Sequence, residues 1–173
     1  MTDSREVLSR RAPPPDLQLR YGHGPDHLVD VRLPRAPGPH LLVVVIHGGF
    51  WRVEYDRGHT ASLCAALAAQ GYVAASIEYR RVGRGNSGWP ATFDDVAAAV
   101  DALPSLLGDH ADQRGMVLLG HSAGGHLALW AAAAHRTPLI RGVVSLAGVA
   151  DLALAFRLKL GRGAVSNLLG GSP

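Results

Sequence analysis

Apolar and polar residues alternate in two early segments, LQLRYG (17–22) and HLVDVRLP (27–34), which Gly24-Pro25 separates. A period of two broken by Gly-Pro predicts a hairpin of half-exposed strands. Residues 35–40, with two prolines and a glycine, read as a turn. The pattern then changes: LLVVVI (41–46) is continuous and branched, as in a strand buried on both faces of a parallel sheet. Strand and helix alternate from there. His59 to Gln70 is predicted helical, with Leu63, Cys64 and Leu67 on one face and Gly71 as its stop. YVAASIEYR (72–80) is a strand, and 81–88, with three glycines, a loop. Thr92, with Asp95 three residues on, suggests an N-cap, and Phe93, Val96, Val100 and Leu103 form a helical stripe. Pro104 is expected to break or kink that helix. GMVLLG (115–120) is a second buried strand, 123–135 a helix and 140–149 a strand. After Asp151, LALAFRLKLG reads as helical, followed by a tail ending in Gly, Ser and Pro.

Buried strands alternating with helices predict an α/β fold: three layers, a mostly parallel sheet of six strands, and the N-terminal hairpin added antiparallel at one edge. At 173 residues the chain suffices for one domain with a real core. Residues 1–15, ending in Pro13-Pro14-Pro15, read as a mobile arm ahead of a single domain over 16–173. No internal repeat is visible.

Composition narrows the functional classes. An apolar fraction of 47% against 18% charged is that of a globular chain. The net charge of +3 comes from scattered arginines, with Lys159 as the one lysine, so no basic stripe points to nucleic acid. Neither a secretory leader nor an apolar run long enough to cross a bilayer is present, so a cytoplasmic protein with no membrane partner is expected. Cys64, the single cysteine, excludes an intrachain disulfide and reads as a buried, inert thiol. No metal-ligating cluster stands out.

Two glycine-bearing motifs carry chemistry. Gly120-His121-Ser122-Ala123-Gly124 fits G-x-S-x-G between a buried strand and a helix. A sharp turn there strains the serine backbone, lifts the hydroxyl above the sheet and aims the following amide, that of Ala123, at a developing oxyanion. Ser122 is therefore the candidate nucleophile. His47-Gly48-Gly49-Phe50-Trp51 directly follows LLVVVI. Its glycines let backbone amides approach a ligand, so Gly49 or Phe50 would supply the second oxyanion donor, with Gly48 shaping the turn. His47, at the root of that loop, reads as structural rather than as the catalytic base. Phe50, Trp51 and His121 are candidate pocket walls, with packing under the loop an equal alternative for the two aromatics.

IHGGFW, IEYRR (77–81), WPATFDDVAAAVD (89–101) and LGHSAGGHLAL (119–129) together resemble the α/β-hydrolase superfamily. Within it they resemble the esterase/lipase branch that includes BD-FAE-like domains and kynurenine formamidase, from about residue 25 onward. The resemblance implies hydrolysis of a small carboxylic ester or amide through an acyl-enzyme on Ser122, without a cofactor. It also implies a triad in the chain order Ser, then Asp or Glu, then His.

The rest of that triad is hard to find. After Ser122 the histidines are His126 and His135. His126 is one turn past the nucleophile and should pack beside the helix, and His135 lies roughly 20 Å away by helical rise. Asp151, ending the sixth strand, is a candidate acid, with capping of the next helix as its alternative role. The expectation is a C-terminally incomplete domain, whose acid and base come from a missing segment. That segment or a partner chain would cover the edge of strand 140–149. The competing expectation is an inactive hydrolase-like binding module. A nucleotide-binding protein is set aside because the glycines at 120–125 enclose Ser122 without G-x-G-x-x-G or Walker spacing.

Overall fold

The computed structural model describes residues 12–173 apart from 84, 86 and 136. Most of the expected N-terminal arm lies outside the described residues. Its described end is held: Arg32 donates to the carbonyls of Pro13 and Pro14.

Six strands form one sheet: β1 (Leu17–Arg20), β2 (Leu28–Arg32), β3 (His40–Ile46), β4 (Val73–Ile77), β5 (Ala111–His121) and β6 (Ile140–Leu146). Their order is β1-β2-β4-β3-β5-β6. The hairpin β1–β2 joins β4 antiparallel, and the remaining pairs are parallel. The branched run of β3 is buried on both faces as its composition predicts. Val44 and Ile46 pack into one core with Leu118, and Val43 and Val45 into another with Leu119. Successive residues of a strand point to opposite faces, so each strand feeds both layers.

Helix α1 (Ala61–Ala69), entered through a 3₁₀ turn at Arg57–Thr60, covers one face through Cys64, Leu63 and Leu67. Burial pushes the Cys64 thiol up to about 11, so it stays protonated. Helices α2 (Ala91–Leu107) and α3 (Ala123–Trp130) cover the other face with Phe93, Val96, Val100, Leu103 and Leu127. Helix α3 continues as a π turn, Ala131–His135, tied to α2 where His135 Nε2 meets Asp101 at 2.8 Å.

Several expectations are corrected. Thr92 does not cap α2: it lies inside the first turn, fully buried, and its hydroxyl donates to the Arg80 carbonyl at 2.6 Å. Asp95 instead accepts from the Arg80 backbone and guanidinium and contacts His27 Nε2 at 3.0 Å. These two side chains latch the end of β4 to the helix, a tertiary contact that local spacing mimics as a cap. Pro104 does not break α2, which runs through it to Leu107. The strand predicted at 115–120 begins earlier, and the strand predicted at 140–149 ends at Leu146.

After β6 come two short helices, α4 (Leu152–Arg157) and α5 (Ala164–Leu169). The second replaces the expected tail, because Ala164, Val165 and Leu168 bury into the main core. Leu168 also accepts from the Trp89 amide at 2.7 Å.

Strand β6 is an edge, and the sheet face that α1 covers elsewhere is bare over it. Val144, which pairs with Leu119, is 42% exposed, and Leu146 is 43% exposed. Leu118→Ala should therefore cost about 2–5 kcal/mol, and Leu146→Ala less than about 1 kcal/mol. Urea denaturation of the two variants measures the contrast.

Candidate active site

Ser122 sits at the junction of β5 and α3 with φ 52° and ψ −116°. A non-glycine residue held at positive φ signals strain that the surrounding structure must enforce. Here the enforcement is visible. The Ser122 amide donates to Leu146 O at 2.8 Å, continuing the ladder with β6, and its carbonyl accepts from His126 N at 3.1 Å, starting the helix. Strand and helix thus both claim the same residue.

The glycines around it are required by contact. A methyl group on Gly120 would lie 2.1 Å from Gly124 O, and one on Gly124 would lie 2.0 Å from Ile46 O. Helix α3 consequently starts directly against the carboxyl end of β3, where the His47–Trp51 loop begins. A methyl on Gly48 would lie 3.2 Å from Ser122 Cβ and 2.7 Å from His121 O. The two motifs, more than seventy residues apart in the sequence, are in contact.

The loop itself carries three consecutive positive φ values: Gly49 at 108°, Phe50 at 55° and Trp51 at 58°. Two are non-glycine residues, so the loop is held from outside. Arg52 donates to the Gly161 carbonyl beyond α4, and its guanidinium lies 5.8 Å over the Phe50 ring. Beneath the loop His47 is fully buried, with Nε2 2.8 Å from Glu78 Oε1 and Nδ1 2.8 Å from Gly48 O. Tyr79 stacks on its ring at 4.4 Å and donates its hydroxyl to the His47 carbonyl at 2.9 Å.

The other candidate residues separate. Phe50 is 37% exposed beside Gly161 and is available as a wall, as is the exposed His121. Trp51 is corrected: at 1% exposure it belongs to the core, edge-on to His126 at 5.4 Å. Ala123 is buried as the first residue of α3. Asp151 caps α4, accepting from Leu154 N at 2.8 Å. With His126, Trp130 and Leu152 it lines an open groove of about 620 Å³. His126 packs between Trp51 and Phe93, and burial without a counter-charge pushes its imidazole down to about 4. Glu78, Tyr79 and Arg52 were not singled out from the sequence; a charged residue ending an otherwise buried strand was the available signal for Glu78. Among the described residues no group of three or more His, Cys, Asp or Glu could hold a metal ion.

The BD-FAE family model matches residues 29–165. The chain belongs to the BD-FAE family. Kynurenine formamidase of Danio rerio is 27% identical over 143 residues, covering 79% of this chain and 46% of that protein. Esterase LipQ of Mycobacterium tuberculosis (strain ATCC 25618 / H37Rv) is 30% identical over 128 residues, covering 71% of this chain and 30% of that protein. This BD-FAE chain therefore spans less than half the length of these relatives. Among solved structures, esterase B from Lactobacillus rhamnosis (HN001) superposes with a TM-score of 0.78 at 23% identity, over 96% of this chain and 61% of that one. Thermogutta terrifontis esterase 2 gives 0.75 at 18% identity, over 95% of this chain and 67% of that one. The architecture is that of α/β-hydrolase esterases, and the family is esterase- and formamidase-like.

Two outcomes follow from the packing. Gly124→Ala must push α3 away from β3 and should destabilise by about 1–3 kcal/mol or more, read as a lowered urea midpoint. His126 is neutral in the fold, whereas the unfolded chain binds a proton below the ordinary 6.5. Its contribution is complete above pH 6.5 and declines as pH falls toward 4, by roughly 3 kcal/mol. Denaturation at pH 7 and pH 4.5 should show this loss, and His126→Asn should flatten it.

Proposed function

We propose that the chain carries the nucleophile and oxyanion half of a serine hydrolase acting on small carboxylic esters or amides through an acyl-enzyme on Ser122. The observation that carries this reading is the strained Ser122 backbone, locked between Gly120 and Gly124 and packed against Gly48. A hydroxyl on such a turn stands clear of its own helix. The amide of Ala123, at the positive end of α3, and the amides of Gly49 and Phe50 would converge on the oxyanion. The relatives named esterase and kynurenine formamidase support an ester or amide as substrate. Phe50 and His121, both exposed, would line its path.

Among the described residues, the histidines weighed as a base for this serine are engaged elsewhere. His47 is engaged by Glu78 and Gly48, His126 by its aromatic cage, and His135 by Asp101. We propose that a histidine and its acid come from chain beyond residue 173 or from a partner, which would also cover β6 and the bare face holding Val144 and Leu146. Asp151 is kept as a second candidate acid only if its capping bond to Leu154 is released. The domain in this reading is a single hydrolase unit over 16–173, completed by that segment, in a soluble, cytoplasmic setting and with no cofactor.

A fluorophosphonate probe and a panel of p-nitrophenyl esters test the proposal. The 173-residue chain alone should label weakly and turn over little, because loss of the triad histidine lowers the rate by on the order of 10⁶. A longer natural product should hydrolyse short esters, and Ser122→Ala should abolish both signals without lowering stability. Full labelling of the 173-residue chain would show that a base is already present, and labelling that survives Ser122→Ala would remove the nucleophile assignment.

A further inference from the structure

The buried group beneath the loop permits one more step. His47 is fully buried, and both of its ring nitrogens face oxygen at 2.8 Å. One is the Gly48 carbonyl, which can only accept, so Nδ1 donates. The other is Glu78 Oε1.

The surroundings of Glu78 decide which partner holds the shared proton. Oε1 also accepts from the Tyr79 amide at 3.1 Å and faces Arg81 Nε at 3.2 Å, an ion pair rather than an aligned hydrogen bond. Oε2 accepts from the Arg57 amide at 3.2 Å, with Arg57 Nη1 at 3.6 Å. Each of these neighbours is a donor or a cation, which stabilises a carboxylate, so of the two places for the shared proton, Glu78 Oε1 and His47 Nε2, the second is favoured. Burial raises the Glu78 carboxyl, but the His47 hydrogen bond, the Arg81 charge and the Arg57 amide act against it and hold it below its ordinary value. Farther out, Asp30 pairs with Arg57 at 2.9 Å and Asp26 with Arg81 at 2.8 Å, which balances the two guanidiniums. Tyr79, fully buried, and Tyr21, whose hydroxyl donates to the Glu78 carbonyl at 2.7 Å, are phenols that burial raises far above neutrality, so they add no charge. A carboxylate on one side and a carbonyl on the other require donors at both nitrogens. A neutral ring would leave two buried acceptors facing each other at 2.8 Å, an arrangement that native interiors avoid.

We propose that His47 is a buried imidazolium, protonated on both ring nitrogens and held in that state by Glu78, and that its charge acts through the Gly48 carbonyl to strengthen the Gly49 amide as an oxyanion donor. The carbonyl of Gly48 and the amide of Gly49 belong to one peptide unit. A cation hydrogen-bonded to the oxygen draws density from the nitrogen and makes its N–H a better donor, the cooperative effect known for chained hydrogen bonds. His47 and Glu78 are then positioning residues, since neither touches the substrate. The second half of the proposal rests on the Ser122 site reading, while the first does not.

The test is nitrogen NMR on the protein with ¹⁵N-labelled histidine at pH 7.5, with the His47 ring assigned through its own backbone so that no variant need fold. Both His47 ring nitrogens should give protonated shifts, whereas one protonated and one bare nitrogen would overturn the proposal. In Glu78→Gln the side-chain amide can donate to Nε2, so the ring should become neutral; a ring still doubly protonated would remove Glu78 from the assignment. On a catalytically competent longer product, Glu78→Gln should lower kcat on the order of tenfold at unchanged KM, less than the 10²–10³ seen when an oxyanion donor is deleted. An unchanged kcat alongside a neutral His47 would overturn the amide effect. If Ser122→Ala proves the site reading wrong while His47 remains doubly protonated, that reading fails and the imidazolium assignment stands.

Discussion

A methyl group on Gly124 would come within 2.0 Å of the Ile46 carbonyl oxygen and 2.5 Å of the His47 carbonyl oxygen, so helix α3 starts in direct contact with the end of β3. The rest of the site is built on that approach. It places the β5–α3 turn beside the β3 loop, it brings Gly48 to Ser122, and it leaves Ser122 no backbone conformation except a strained one. Strain at a single residue persists because both flanking elements are bonded before and after it: β5 to β3 and β6, α3 to the main core.

A second layer of control lies beneath the loop. Three successive residues with positive φ would not hold their shape by local preference, since Phe50 and Trp51 both carry side chains that disfavour it. Trp51 is anchored in the core, Arg52 clasps the carbonyl of Gly161, and the His47–Glu78–Arg81 group fills the space below. A buried charge cluster is an uncertain source of stability, because desolvation offsets attraction. It also ties the root of the loop to the residue that follows β4.

The helices after β6 couple to the same place. Gly161 packs on Phe50, and α5 docks on the Gly88–Trp89 turn, so the loop that bears the oxyanion donors in the proposed mechanism is buttressed from outside the sheet. Among the described residues nothing comparable protects the other side of β6, where Val144 and Leu146 face outward on an edge strand. An exposed apolar edge is a template for further pairing.

Much of this was legible in the residues. The unbroken LLVVVI run marked a strand buried on both sides, alternation marked the hairpin, and GHSAG between strand and helix marked the strained turn at Ser122, because each is a local pattern enforced by local sterics or by burial of one whole element. His47 was recognisable as structural from its place at a strand end. Other features depended on partners distant in sequence. Thr92 and Asp95 have cap-like spacing but are spent on Arg80, and Pro104 is tolerated because α2 is held by its buried face. Leu168 turned an apparent tail into a helix by finding the core. The sequence by itself determined the six strands, the helices between them and where a serine is forced into strain. Tertiary structure alone decided which loop meets that serine and which charges lie under it, since contacts between residues tens of positions apart are set by packing, which no local pattern encodes.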